Sequence, residues 1–483
     1  MRNVSCSSQC GCLTRFLIIA SLSAGLLIPS ARAHAQCDGT WVPRSSATKP
    51  APRSQPAMAF DSGRGVTVLF GGRISGSEDN ETWEWNGSDW LLKSPTNAPS
   101  PRLGAAMAYD SARGVTVLFG GDSGATSNEP DNETWEWDGA DWLQRTPATS
   151  PPALFDHVMV YDSARGVAVL FGGFDELFIT HNETWEWDGT NWTNRNPTIA
   201  PPPVALPTMA YDVARGETVL FSGALATGSV LSLSADTWIW NGTNWSQRLS
   251  AASPSPRAAH SMVYDTNRQR TVLYGGLLNS NPDLSDETWE WDGVNWVLSQ
   301  PLAPPPARAG HVMAYDVDRH VIVLFGGEVV GSLIDETREL THPEILVSEL
   351  PSDQVVLEGE SATFSTAASS GAIELTYAWR HDGNLLTDGG PISGASTPTL
   401  TITAASLADA GSYDCQISHL CQSVNSSAAA LVVTALFMEA APLPMEGVSA
   451  PCGLCGTGSS AMMPLALLWL GSSVRRRRTH KGR

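Results

Sequence analysis

Between residues 57 and 341 short apolar runs alternate with polar turns, and the pattern repeats about every fifty residues without the 3.6-residue spacing of an amphipathic helix. Each unit reads, in order, an apolar stretch such as MAYD, a turn with Asp and Arg three apart, a run such as VTVLFGG, a segment of variable length, TWEWDG and a lone Trp. The glycine pair falls at Gly71-Gly72, Gly120-Gly121, Gly172-Gly173, Gly275-Gly276 and Gly326-Gly327, with Ser222-Gly223 as a degenerate copy, so six units are present. Runs of four or five β-branched and aromatic residues bounded by Gly, Asp, Asn and Pro predict four strands per unit and an all-β fold.

The ends of the array complement each other. The sixth unit runs through HVMAYD, VIVLFGG and DETREL but lacks an Asp-Gly-x-x-Trp segment, which instead stands ahead of the first unit as Asp38-Gly39-Thr40-Trp41. A missing outer strand would leave unpaired backbone at the seam, so the strand around Trp41 is expected beside Glu336 to Leu340. Sixteen of the eighteen tryptophans belong to the repeat, which marks them as architecture. Residues two apart in a strand share a face, so Trp83 and Trp85 and their counterparts can fill the wedge between neighbouring sheets. The pairs Asp61/Arg64, Asp110/Arg113, Asp162/Arg165, Asp212/Arg215, Asp265/Arg268 and Asp316/Arg319 occur in every unit, and are read as turn caps and local ion pairs.

The double glycine after an apolar strand, followed by spaced aromatics, resembles the kelch family of β-propellers, with Trp-Glu-Trp and Asp-Gly-x-x-Trp in place of the usual Tyr and Trp. The resemblance implies a six-bladed kelch-like β-propeller over residues 36–342, closed by its N-terminal strand.

After Pro343 the pattern changes. LTYAWRHDGNLL and TLTITAASLADAGSYDC resemble an immunoglobulin-like sandwich over residues 343–434, with Trp379 in the strand C position and Asp409, Gly411, Tyr413 and Cys415 approaching strand F. Thr366 stands where strand B normally places its cysteine, so the usual inter-sheet bridge is impossible; a Cys415–Cys421 disulfide across a tight turn at QISHL is expected instead.

Composition then bounds the setting. Residues 1–35 read as a secretory signal, with Arg2 and Arg15 before the run FLIIASLSAGLLI and small residues at Ala33 and Ala35. Residues 435–451 read as a linker. Residues 452–483, with Cys452-x-x-Cys455, an apolar run from Ala461 and Arg475 to Arg478, resemble a bacterial surface-sorting tail and provide the one expected membrane contact. The net charge is −20; without the three arginines of the signal and the six basic residues of the tail the body is near −29, which excludes nucleic acid as a partner.

No catalytic motif, metal-ligand set or cofactor motif is legible. Some kelch-like proteins are copper oxidases, but Tyr109, Tyr161, Tyr211, Tyr264 and Tyr315 all fill one repeat position, as do His157, His260 and His311, so neither set reads as a metal site. What varies is the segment between the glycine pair and the Trp-x-Trp strand, and it carries Asp79, Asp122, Asp131, Asp175, Glu176, Asp283 and Glu328 as candidate ligand-binding residues. The reading is an exported, non-enzymatic envelope protein that binds a protein or glycan through these loops. The alternative is a secreted carbohydrate-active enzyme, which requires two carboxylates in one pocket.

Overall fold

A computed structural model describes residues 37–435 apart from 125–128, 222, 228–229, 279–282, 371–373 and 420. The expected signal segment (1–35), the tail (452–483) and all but the first residue of the linker lie outside the described residues. The protein is all-β. Six four-stranded antiparallel sheets are built from the six repeats. Sheet 1 contains Ala57–Asp61, Val66–Phe70, Thr82–Trp85 and Trp90–Leu92. Sheets 2 to 5 repeat this order from Ala106–Asp110, Val158–Asp162, Thr208–Asp212 and Ser261–Asp265. Sheet 6 takes Val312–Asp316, Val321–Phe325 and Thr337–Thr341, and its fourth strand is the N-terminal Thr40–Arg44, paired with Trp41 opposite Leu340.

The first strand of each sheet lies beside that of the next, and the first strand of sheet 6 lies beside that of sheet 1. Packing follows the same cycle. One buried cluster joins Ala57, Ala59, Val68 and Phe70 of sheet 1 to Met107, Leu118, Trp137 and Trp142 of sheet 2, and another joins Trp83, Trp85 and Trp90 of sheet 1 to Val321, Val323 and Phe325 of sheet 6. Tryptophans also stitch the sheets by hydrogen bonds. In sheet 2, Trp137 Nε1 donates to Glu84 Oε1 (3.1 Å) and Trp142 Nε1 to Thr82 Oγ1 (2.9 Å) of sheet 1; Trp187 and Trp192 treat Glu136 and Thr134 likewise.

Each Asp-Arg pair is an ion pair, such as Arg64 Nε to Asp61 Oδ2 at 2.7 Å, while Asp61 Oδ1 accepts the N–H groups of Gly63 and Arg64. The arginine reaches on to the buried Glu of the third strand, Glu84 in sheet 1. In sheet 4 Ile239 replaces that Glu, and Arg215 donates to the Asp292 carbonyl instead. The glycine pairs serve close approach: a Cβ on Gly71, at φ 65°, would stand 2.6 Å from the Arg102 carbonyl oxygen.

The immunoglobulin-like domain buries Trp379, Phe364, Cys415 and Leu400 in one core, and Tyr413 Oη donates to the Asp409 carbonyl (2.7 Å), the corner its position implies. The expected Cys415–Cys421 bridge does not form. The disulfide joins Cys37 to Cys421, Cα atoms 5.1 Å apart, and Cys415 is a free buried thiol that burial pushes up to about 11. The strand runs unbroken from Gly411 to His419, past the place where a turn was expected. At ~3.4 Å per residue Cys415 lies about 14 Å before the strand's end, well beyond bridging reach, and its partner across the hairpin is Ser426.

Candidate functional site

The residue two before the start of each first strand takes a left-handed conformation: Gln55, Gly104, Asp156, Leu206, Ala259 and Gly310 have φ between 52° and 64°. Their peptides form a closed collar. Each N–H donates to the carbonyl of the preceding member: Gln55 to Gly310 (2.7 Å), Gly104 to Gln55 (3.1 Å), Asp156 to Gly104 (2.8 Å), Leu206 to Asp156 (2.8 Å), Ala259 to Leu206 (3.3 Å) and Gly310 to Ala259 (2.8 Å). These six bonds hold four non-glycine residues in a conformation that L side chains otherwise avoid. Beneath the collar a cavity of about 180 Å³ is lined by equivalent segments of all six sheets, down to Met58, Met107, Met159, Met209, Met262 and Met313.

A second ring surrounds the collar, formed by the residue after each glycine pair. Its members are Arg73, Asp122, Phe174, Ala224, Leu277 and Glu328, each exchanging backbone hydrogen bonds with the residue before a collar position. One half is charged, with Arg73 Nη2 and Glu328 Oε2 3.5 Å apart, and the other half is apolar. A pocket of about 290 Å³ on this face is bounded by Leu206, Leu277, Leu284 and Val330 together with Gln55, Arg73 and Glu328. Beyond Phe174 the loop of sheet 3 presents Leu177, Phe178 and Ile179, which are 70 %, 52 % and 55 % exposed, with Phe178 packed on Phe155 and Phe174.

Of the seven acids read as ligand-binding residues, only Asp122 and Glu328 reach this inner ring. Asp79 and Asp131 are absorbed by Arg53 and Arg102, at 2.8 and 3.1 Å; burial raises both carboxyls above their ordinary range despite the arginines. Asp122 Oδ1 accepts the N–H groups of Gly124 and Glu129 within its own loop. Burial pushes Asp175 up, but the N–H groups of Ile179 and Leu177, with His181, outweigh it and hold the carboxyl low. Glu176 is exposed at the tip of that loop, and the Asp283 carbonyl accepts the Leu278 N–H. The acids therefore do not converge on one centre.

The fully buried Arg53, Arg102, Arg257 and Arg308 were not singled out from sequence. Each donates to a carbonyl of a glycine pair and to the Glu just before the third strand, as Arg308 does to Gly326 and Glu336. Their signal was present, an Arg five residues before the repeat Met in four units. His157, His260 and His311 turn onto Phe119, Phe221 and Tyr274 with ring centroids 5.4 to 5.5 Å apart, and burial drives all three below the usual histidine range, so they are packed neutral. Among the described residues no group of three or more His, Cys, Asp or Glu is placed to hold a metal ion.

Asp156 is the one acid in the collar. Burial raises its carboxyl to about 7, against the hydrogen bond from Gln55 Nε2 (2.7 Å) and aided by the charge of Asp122. A folded-state value above the unfolded one gives stability that is fully present below the unfolded carboxyl value and is lost progressively as pH rises from there to about 7. Asp156→Asn should thus be near neutral for stability at about pH 3.5, below the unfolded carboxyl value, and stabilising at about pH 8, measured by urea denaturation at both. An equal effect at both pH values contradicts this assignment.

A family model described as an immunoglobulin domain matches residues 342–419. Similar solved structures include a three-immunoglobulin segment of titin in a Glu-to-Ala variant, 24 % identical over 20 % of this chain and 34 % of that one, TM-score 0.18. A chimeric titin carrying an exogenous decorin peptide is 25 % identical over 20 % of this chain and 100 % of that one, TM-score 0.18. A domain of Duf (Kirre) is 19 % identical over the same shares, TM-score 0.18. This chain spans about a third of the length of the first titin segment. No curated protein matches the chain. No described helix is long and apolar enough to cross a membrane.

Proposed function

We propose that residues 36–342 are a six-bladed kelch-like β-propeller closed by its N-terminal strand, and that the chain is an exported bacterial envelope protein binding a partner through the variable-loop face. The cyclic order of the six sheets and the collar of six backbone hydrogen bonds support the propeller. The Cys37–Cys421 disulfide and the immunoglobulin-like domain are compatible with an extracellular setting. The tail at 452–483 is the proposed means of surface retention.

The observation that carries the binding role is the half-charged, half-apolar face around the collar, with Leu177, Phe178 and Ile179 standing exposed beside it. Such a face suits a polypeptide better than a sugar. Labelled full-length protein should bind envelope preparations of the producing cell saturably, and Phe178→Ala should weaken that binding at least about fivefold, as truncation of a central aromatic anchor does. Unchanged binding by this variant overturns the assignment to the loop face, and a hit confined to a glycan array replaces polypeptide by glycan.

The carbohydrate-active reading has one observation in its favour. Asp156, raised to about 7 beside Asp122, has the profile of a general acid near a second carboxylate. Glycan hydrolysis abolished by Asp156→Asn would establish it.

A further inference from the structure

The end of the channel opposite the collar is a second, unassigned cavity. Its volume is about 390 Å³, and its walls repeat six times: the ring of six methionines forms the floor, and Phe60, Tyr109, Tyr161, Tyr211, Tyr264 and Tyr315 form the sides. Ser62, Ser111, Ser163 and Thr266 belong to the rim. Among the described residues no charged side chain lines it. The repeated charged residues of this end have structural tasks, since the Asp-Arg pairs fix the turns and the third-strand glutamates, where present, receive the arginines. The aromatic ring is left over.

The placement of the tyrosines is informative. Tyr109 Oη accepts the Gly63 N–H (3.1 Å) and Tyr315 Oη the Asn267 N–H (3.4 Å), each on the turn of the preceding sheet. The Tyr109 and Tyr315 hydroxyls are thus tied to the turns, while all the rings border the cavity. Burial pushes the Tyr161 and Tyr264 phenols up to about 12, so these rings stay neutral over the whole physiological range. At the other end the cavity is narrowed by the collar, where Gln55 and Asp156 are hydrogen-bonded to each other. A pocket is left that is approached past the aromatic ring.

The geometry points to this cup as a binding site for a small organic cation of the alkylammonium class. Six electron-rich rings around one axis attract a cation with apolar substituents through their quadrupoles, and six polarisable thioethers complete an apolar floor. No Lys or Arg lines the walls to repel it, and the chain as a whole carries −20, which concentrates cations near its surface. An anion finds no donor here except the rim hydroxyls. A sugar finds too few hydrogen-bonding groups on the walls.

Tetramethylammonium and choline titrated into the full-length protein, followed by calorimetry, test the assignment. Both should bind at a single site, and 3,3-dimethylbutanol, the uncharged isostere of choline, should bind at least about tenfold more weakly because it lacks the cation–π component. Tyr211→Leu should weaken choline about fivefold, whereas Tyr211→Phe, which installs the ring that sheet 1 already carries at Phe60, should retain binding. Phe178→Ala, on the opposite face, should leave choline binding unchanged; a loss there overturns the location. Thermal melts of each variant separate lost binding from lost folding. The absence of any heat with either cation, or equal affinity for the neutral isostere, overturns the proposal.

Discussion

Replacing Trp41 with alanine should lower stability by about 4 kcal/mol, read as a reduced urea midpoint at unchanged slope. Trp41 is 1 % exposed and packs on Tyr274 (5.3 Å between centroids), Ile322, Leu324 and Leu340. Its strand is the outer strand of sheet 6, and its own N–H donates to the Leu302 carbonyl (2.9 Å) where the chain leaves sheet 5. The seam it closes has a weakness the others lack. At the corresponding position in sheet 2, Trp142 bonds a threonine hydroxyl of sheet 1, but here the Trp41 indole N–H and the Thr288 hydroxyl both lack a partner. Burial of the ring therefore holds this seam with less polar help. A loss below 1 kcal/mol would show that the N-terminal strand is dispensable.

Cys37→Ser should cost about 3 kcal/mol, and Cys421→Ser the same, because the bridge closes a loop across 384 residues and so removes much entropy from the unfolded chain. The bond stands four residues before Trp41 and ties the strand with the weak seam to the end of the Gly411–His419 hairpin. Cutting it frees the strand to fray, so the two substitutions act on one device and their effects should be less than additive. Mass mapping without reduction should recover a peptide pair containing Cys37 and Cys421, with Cys415 alkylated only after denaturation. A Cys415–Cys421 pair would refute the assignment, as would full stability in the serine variants.

The all-β class, the repeat-by-repeat strands, the six Asp-Arg turns and the immunoglobulin-like domain were legible in the sequence because each is encoded locally. A β-branched run of five residues, a glycine pair or Asp409-x-Gly411-x-Tyr413 specifies its own backbone whatever lies beyond it. Even the pairing of Thr40–Arg44 with Thr337–Thr341 could be inferred, since an orphan segment and a missing strand are complementary statements within one chain. The binding candidates were legible only in part. Seven acids were picked from the variable segments, yet five stand outside the ring around the collar, because the nearest cation or loop N–H groups decide what a carboxylate does and sequence spacing does not report them.

Tertiary structure alone decided the rest. The collar depends on backbone bonds between residues about fifty apart, and nothing in Gln55, Asp156 or Leu206 separately announces a shared left-handed conformation. The same holds for the disulfide: spacing favoured Cys421 with its neighbour Cys415, but the length of one strand put these two out of reach and brought Cys37 within 5.1 Å. The aromatic cup is a third case. Five tyrosines and a phenylalanine that read as one repeat position become six walls of a single cavity only when the first strands lie side by side. Local composition sets what each element is, whereas the meeting of equivalent residues around a common axis is a property of the closed arrangement and of no single repeat.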